Sequence, residues 1–193
     1  NTILIKSFER NKIMSKKTVV ITGSSRGIGR ACAILFAKNN YNVVINYNKS
    51  KELAEELFND LKEAGYSVDI FKADISNRFE ANSLINHCIG KFGKIDVLIN
   101  NAGISQNKLF TDITDDDWNE MMGTNLNGIF YTTQKALQYM LPECSGKIIN
   151  ISSIWGMVGG SYEVHYSTSK AAIIGMTKAL AKELGPSIFK LTV

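Results

Sequence analysis

The stretch from Thr18 to Phe36 constrains this chain more than any other. Thr18-Val19-Val20-Ile21-Thr22 is a short β-branched run, and Gly23-Ser24-Ser25-Arg26-Gly27-Ile28-Gly29 follows it directly. Ile28, Cys32, Leu35 and Phe36 then recur at helical spacing. A strand, a glycine-rich turn and a helix form an arrangement able to hold a dinucleotide pyrophosphate. The glycines permit a tight turn and close backbone approach, and the helix N-terminus offers unpaired N–H groups. The spacing is G-x-x-x-G-x-G and not G-x-G-x-x-G, so the match is to the physical arrangement and not to that string.

Strands and helices go on alternating. Asn42–Asn46 reads as a second strand, and residues 51–64, with Leu53, Leu57 and Leu61 in helical register, end at Gly65. Val68–Phe71 is a third strand running toward Asp74, and a helix over 78–92 carries Leu84, Ile85, Cys88 and Ile89. Asp96–Ile99 is a fourth strand, residues 115–141 are helical with an interruption near Asn125, and 146–151 is a fifth strand. Residues 167–184 form a further helix, and 188–193 begin a sixth strand. Short βα connections of this kind predict a single α/β domain with a doubly wound parallel sheet.

Near the end of the chain, Tyr166 and Lys170 stand four apart in Tyr166-Ser167-Thr168-Ser169-Lys170, so one helix face carries both. A positive charge beside a phenol favours phenolate, whose proton is otherwise held with a pKa of about 10. That brings a tyrosine toward exchanging a proton with a carbonyl or alcohol oxygen. Ser153 follows the apolar run Lys147–Ser152 and offers a hydroxyl to the same oxygen. An ordinary helix with a packed Tyr and a solvated Lys would show the same spacing.

Taken together, the chain resembles the short-chain dehydrogenase/reductase family, from about Lys17 to Pro186. The residues that carry the likeness, in the family's order, are Thr22-Gly23-x-x-x-Gly27-x-Gly29, Asp74, Asn100-Asn101-Ala102-Gly103, Asn125, Ser153 and Tyr166-x-x-x-Lys170. Within it the nearer likeness is to bacterial 3-oxoacyl-(acyl-carrier-protein) reductases. A second is to reductases of an aminopentanone modification on elongation factor P, seen in Gly103-Ile104-Ser105-Gln106 and Glu163-Val164-His165-Tyr166.

The resemblance implies a Rossmann-type fold and NADPH-dependent reduction of a ketone, small or carrier-bound. It implies Asn125, Ser153, Tyr166 and Lys170 as the catalytic set. Cofactor contacts are implied at Gly23, Ser24, Ser25, Arg26, Gly27, Ile28, Gly29, Asn46, Asn48, Asp74, Ile75, Asn101, Ala102, Gly103, Tyr166 and Lys170, with no metal. Asp74 and Ile75 would contact the adenine, Asn100 would brace the sheet, and Asn125 would hold a water linked to Lys170. Homodimers or homotetramers would form through helices 115–141 and 167–184.

The cofactor choice also has a physical argument. An NAD site places a carboxylate about 20 residues past the glycine turn. Here the second strand ends Asn46-Tyr47-Asn48-Lys49-Ser50, with no acid before Glu52. Arg26 and Lys49 would attract a 2′-phosphate, although either alone would pass for a solvated surface charge. Trp155 and Met157 either wall the substrate pocket or simply pack. His165 either lines that pocket or is a satisfied helix-end residue.

Composition excludes several classes. Residues 1–17 hold Lys6, Arg10, Lys12, Lys16 and Lys17 against Glu9, which accounts for the whole net charge of +4. The remainder is neutral, so nucleic acid is not an expected partner. No apolar run approaches the roughly 20 residues of a membrane span, and the basic start lacks an apolar signal core. Three scattered cysteines, Cys32, Cys88 and Cys144, and two histidines offer no metal-ligand spacing and point to a reducing, cytoplasmic setting. Residues 1–16 read as a disordered extension, with 1–13 as upstream read-through or an appended remnant and a mitochondrial-type presequence as the other option. Residues 17–193 read as the nucleotide-binding domain. Compared with the family, the text stops soon after the sixth strand begins, which reads as truncation. A non-catalytic nucleotide-binding remnant is the alternative this raises.

Overall fold

The structure is a computed structural model describing residues 16–185 and 189–192. The expected disordered extension, apart from Lys16, lies outside the described residues, as do the two ends of the 188–193 strand.

Strands β1 (Thr18–Ile21), β2 (Asn42–Tyr47), β3 (Val68–Lys72), β4 (Val97–Asn100), β5 (Gly146–Asn150) and β6 (Phe189–Thr192) form one parallel sheet. Their order is β3-β2-β1-β4-β5-β6. This is the Rossmann order, and its direction reverses between β1 and β4, where a crevice opens at the carboxyl edge. The helices are α1 (Gly27–Lys38), α2 (Lys51–Glu63), α3 (Arg78–Phe92), α4 (Asp115–Met122), α5 (Gly128–Met140), α6 (Trp155–Val158) and α7 (Val164–Leu184).

The strands alternate between two cores. Val19, Ile21, Val43, Ile45, Val97 and Ile99 pack with Ala33 and Ala37 of α1 and Leu57 and Leu61 of α2. Val20, Val44, Leu98 and Ile148 face the other way, onto Leu84 and Cys88 of α3, Ala136 and Met140 of α5, and Leu184 of α7. Covering both faces is what makes these strands read as unbroken apolar runs. Each fully buried Val, Leu, Ile or Met among them contributes about 1.5–3 kcal/mol.

Helix starts follow local chemistry. Asn77 Oδ1 accepts from the Phe79 and Glu80 amides at 2.9 and 3.2 Å, and α3 ends at Gly93 with φ 76°. Thr114 and Asp117 close a reciprocal capping box at α4. Cys88 is fully buried, and burial, followed by the charge of Asp96, pushes its thiol up to about 12. All three cysteines are free thiols.

Two details differ from the sequence expectation, the start of α7 and the presence of α6, and a third, the interruption near Asn125, is found and takes a definite form. α7 begins at Val164 instead of Ser167, so Tyr166 lies inside its first turn. The interruption near Asn125 is a π-helical turn over Gly123–Asn127. The short helix α6 was not expected, because four residues are too few to show a period.

Candidate active site

The glycine turn is built by backbone fit. Gly23 and Gly27 have φ of 61° and 57°, the left-handed region that a side chain disfavours. A Cβ on Gly23 would lie 2.8 Å from Ala102 Cα, and one on Gly29 would lie 2.5 Å from Asn101 Nδ2. The turn is thus pressed against the end of β4. Thr22 Oγ1 accepts from the amides of Asn101 and Ala102, both at 3.0 Å, while Asn101 Nδ2 donates to the carbonyls of Thr22 and Gly23. Ser24 and Ser25 are buried, and Ser24 Oγ donates to Ile21 O at 2.9 Å. Arg26, Gly27 and Ile28 remain exposed, and α1 starts without a side-chain cap.

At the end of β2, Asn46 is 2 % exposed. Its Oδ1 accepts from Gly23 N, and its Nδ2 donates to the carbonyls of Tyr47, Phe71 and Ala73. That side chain braces the turn, leaving none of its polar atoms unused. Burial pushes the Asp74 carboxyl up, but Ser76, the Asn48 side chain and the Lys49 charge outweigh it and hold it below its ordinary value. Ile75 turns inward, and a Cβ on Gly128 would lie 2.6 Å from its Cδ1. Any ligand contact at Ile75 therefore falls to its backbone.

The second group of candidates meets around α7. Lys170 is 4 % exposed, and its Nζ donates to Ile151 O at 2.9 Å and lies 5.7 Å from the centre of the Tyr166 ring. Burial lowers the Lys170 ammonium to about 8. A Cβ on Gly103 would lie 3.5 Å from that Nζ and 3.2 Å from Asn125 Oδ1. The end of β4, the π turn and α7 therefore meet at one point.

Asn125 is fully buried. Its Oδ1 accepts from Ile104 N at 2.8 Å, and its Nδ2 donates to Ile104 O at 2.9 Å and Ser169 Oγ at 3.1 Å. Ser169 Oγ in turn donates to Tyr166 O at 2.7 Å. π turns of this kind often mark functional sites. Here the side chain of Asn125 acts as a brace.

Ser153 is half-buried, and its Oγ accepts from the Trp155 amide at 3.2 Å. Ser152 Oγ donates to Lys170 O at 2.9 Å, and a Cβ on Gly156 would lie 2.7 Å from the Lys170 carbonyl carbon. Gly156 thus lets α6 touch the backbone of α7, bringing the Ser153 segment to the Tyr166–Lys170 helix. Trp155 and Met157 are 40 % and 75 % exposed, which rules out plain core packing for both. Asn100 braces the sheet as expected, donating to Asn150 and Thr133.

A model of the short chain dehydrogenase family matches residues 17–192. The chain belongs to that family. As dehydrogenases its members are oxidoreductases, and the parallel sheet with its β1/β4 crevice is the family's Rossmann-type scaffold. The 3-oxoacyl-(acyl-carrier-protein) reductase of Staphylococcus aureus strain Mu50 is 40 % identical over 168 residues, covering 87 % of this chain and 68 % of that protein. The corresponding reductase of Synechocystis is 38 % identical over 171 residues, covering 89 % and 69 %. That of Thermotoga maritima is 36 % identical over 168 residues.

Several residues that shape this site were not singled out by sequence. Ser169 had a usable signal, since it stands three residues past Tyr166 and so shares its helix face. Asp117 had none, and Gln106 stood out only as part of the Gly103–Gln106 segment that carries a likeness, because the role of each depends on contacts across the fold. Among the described residues no helix is long and apolar enough to cross a membrane. None of them form a group of three or more His, Cys, Asp or Glu able to hold a metal ion.

Proposed function

We propose that this chain reduces a ketone to an alcohol with NADPH, the substrate being a 3-oxoacyl thioester of the kind its relatives are named for. The observation that carries this reading is Lys170, a buried ammonium beside a phenol, with a single backbone carbonyl as its hydrogen-bond partner among the described residues. Burying a charge so sparsely is costly. It makes chemical sense where the cation acts on a bound group.

The chain's residues fit a dinucleotide. The turn at Gly23–Gly29 presses backbone against Ala102 with no room for a Cβ at Gly23 or Gly29, and the uncapped start of α1 presents N–H groups for phosphate. Arg26, exposed there, and Lys49 supply positive charge for a 2′-phosphate. Asp74 offers a carboxylate to the adenine side. When bound, the nicotinamide supplies the hydride.

The remaining work falls to the chain. Ser153 Oγ and Tyr166 Oη hold the ketone oxygen, and Tyr166 gives it a proton as negative charge builds. Lys170 stabilises the phenolate left behind and hydrogen-bonds the nicotinamide ribose. Asn125 fixes the π turn and Ile104, so that Gly103 stays open in front of Lys170, and a water held at this turn would return a proton. Paired copies meeting through the outer faces of α4–α5 and α7 complete the reading.

Purified protein mixed with NADPH and an acetoacetyl thioester is expected to consume NADPH. Tyr166→Phe should lower turnover by about 10²–10⁴-fold, the usual contribution of a positioned acid, with NADPH binding retained. Full turnover in that variant would overturn the assignment of Tyr166. NADPH binding without turnover in the unaltered chain would overturn the reductase reading.

A further inference from the structure

His165 immediately precedes Tyr166 and is fully buried. Its Nε2 lies 3.0 Å from Gln106 Oε1. Gln106 Nε2 donates to Asp117 Oδ1 at 2.9 Å. The orientation of an amide is normally an assignment, but here chemistry decides it. Asp117 is held well below the ordinary carboxylate range by the Lys108 ammonium and then the Thr114 hydroxyl, whatever way Gln106 is turned, so it can only accept. Gln106 must present N–H to it and therefore C=O to the histidine. His165 Nε2 then carries a proton, and in the neutral ring Nδ1 is a lone-pair acceptor. That Nδ1 is the one buried side-chain nitrogen or oxygen among the described residues without a hydrogen-bond partner.

This chain of bonds clips segment 104–108 to the start of α7. Ile104 is held at both backbone groups by Asn125, Gln106 joins His165 to Asp117, and the Lys108 amide donates to Tyr162 O at 2.8 Å. Tyr166 sits between two such ties, His165 on one side and its own carbonyl, held through Ser169 to Asn125, on the other. All of this lies on the α4–α7 side of the crevice. The glycine turn lies on the other.

We infer that His165, in its Nε2–H tautomer, and Gln106 are positioning residues. They set segment 104–108 as the ketone-side wall and hold the first turn of α7 in place beneath Tyr166. Neither is assigned to touch the nucleotide. The effect on the ketone rests on the reductase reading, whereas the tautomer and the clip do not.

Long-range proton–nitrogen NMR on the ligand-free protein should show Nε2 protonated and Nδ1 unprotonated in the neutral ring. Amide exchange at Lys108 should quicken in His165→Phe, while exchange around Gly23 stays unchanged. In turnover with acetoacetyl thioester, His165→Phe should raise the KM for the ketone roughly tenfold, the worth of one hydrogen bond, with the Kd of NADPH within twofold. His165→Gln, whose amide N–H reaches the place of Nε2, should restore most of it. Should His165→Phe fail to fold, Gln106→Leu at an exposed position should give the same KM shift. An Nδ1–H tautomer, an unchanged KM in both variants, or equal changes in KM and NADPH Kd would overturn the inference. If the unaltered chain turns nothing over, the reductase reading falls, and the tautomer with Lys108 exchange still decides the clip.

Discussion

The glycine turn and the α4–α7 cluster flank one crevice, yet they are held together by different physics. The turn is a problem of backbone space. Its two left-handed glycines and the close approach to Ala102 are local demands, and the buried side chains of Thr22, Ser24 and Asn46 there each bond backbone groups. The α4–α7 cluster is a problem of buried polarity. Asn125, Ser169, His165 and Lys170 are all inaccessible, and their partners lie far off in sequence. Substitutions in the first region should therefore act through strain, and those in the second through charge and proton position.

The largest test is Lys170→Met. Turnover should fall by 10² or more, yet folding stability at neutral pH should not fall with it, because a costly buried charge is removed. The pH dependence sharpens this. The folded-state pKa of Lys170 is about 8, below the 10.5 of a free lysine. Between those values the unfolded chain binds more protons, so its burial cost, complete below pH 8, is relieved as pH rises to 10.5. The stability of the unaltered protein relative to Lys170→Met should rise across that window by on the order of 3 kcal/mol, read by urea unfolding. A flat difference would mean Lys170 is not buried as a cation. Turnover should decline above pH 8 as the ammonium is lost.

Gly23→Ala comes next, combining a positive φ with a Cβ 2.8 Å from backbone. It should cost roughly 2–4 kcal/mol and lower the melting temperature by roughly 10 °C. Arg26→Ala should weaken NADPH binding about tenfold or somewhat more and leave NADH binding alone, measured by fluorescence titration. Equal loss for both would place Arg26 away from a 2′-phosphate. Gly27→Ala is the smallest. Its φ is positive, but a Cβ would meet nothing within 4 Å, so about 1 kcal/mol is expected. If Gly27→Ala proved as damaging as Gly23→Ala, close packing would not be what distinguishes the two glycines.

The contrast explains what could be read from the chain. Thr18–Gly29 declares itself because strand period, glycine and helix period are written in consecutive residues. Tyr166 and Lys170 were visible through helix spacing, and Asn125 through being a poor helix former inside a helical run. The start of α7 was misplaced by three residues because Val164 and His165 carry no cap, and its first turn is held from outside by Gln106. The bracing role of Asn46 and the inward turn of Ile75 were equally hidden, since nothing local says which way a side chain at a strand end will point.

The π turn at Gly123–Asn127 has one further consequence. A single additional residue in a helical turn offsets everything beyond it by about 100° around the axis. The turn can therefore aim Asn125 at α7 and Ile104, while α5 aims Thr132, Ala136 and Met140 at the sheet and α3. A straight rod of the same sequence would have to give up one of those two faces. Like a twisted key blade, the segment serves two locks at once, and deleting one residue from it should unseat whichever half is less firmly packed.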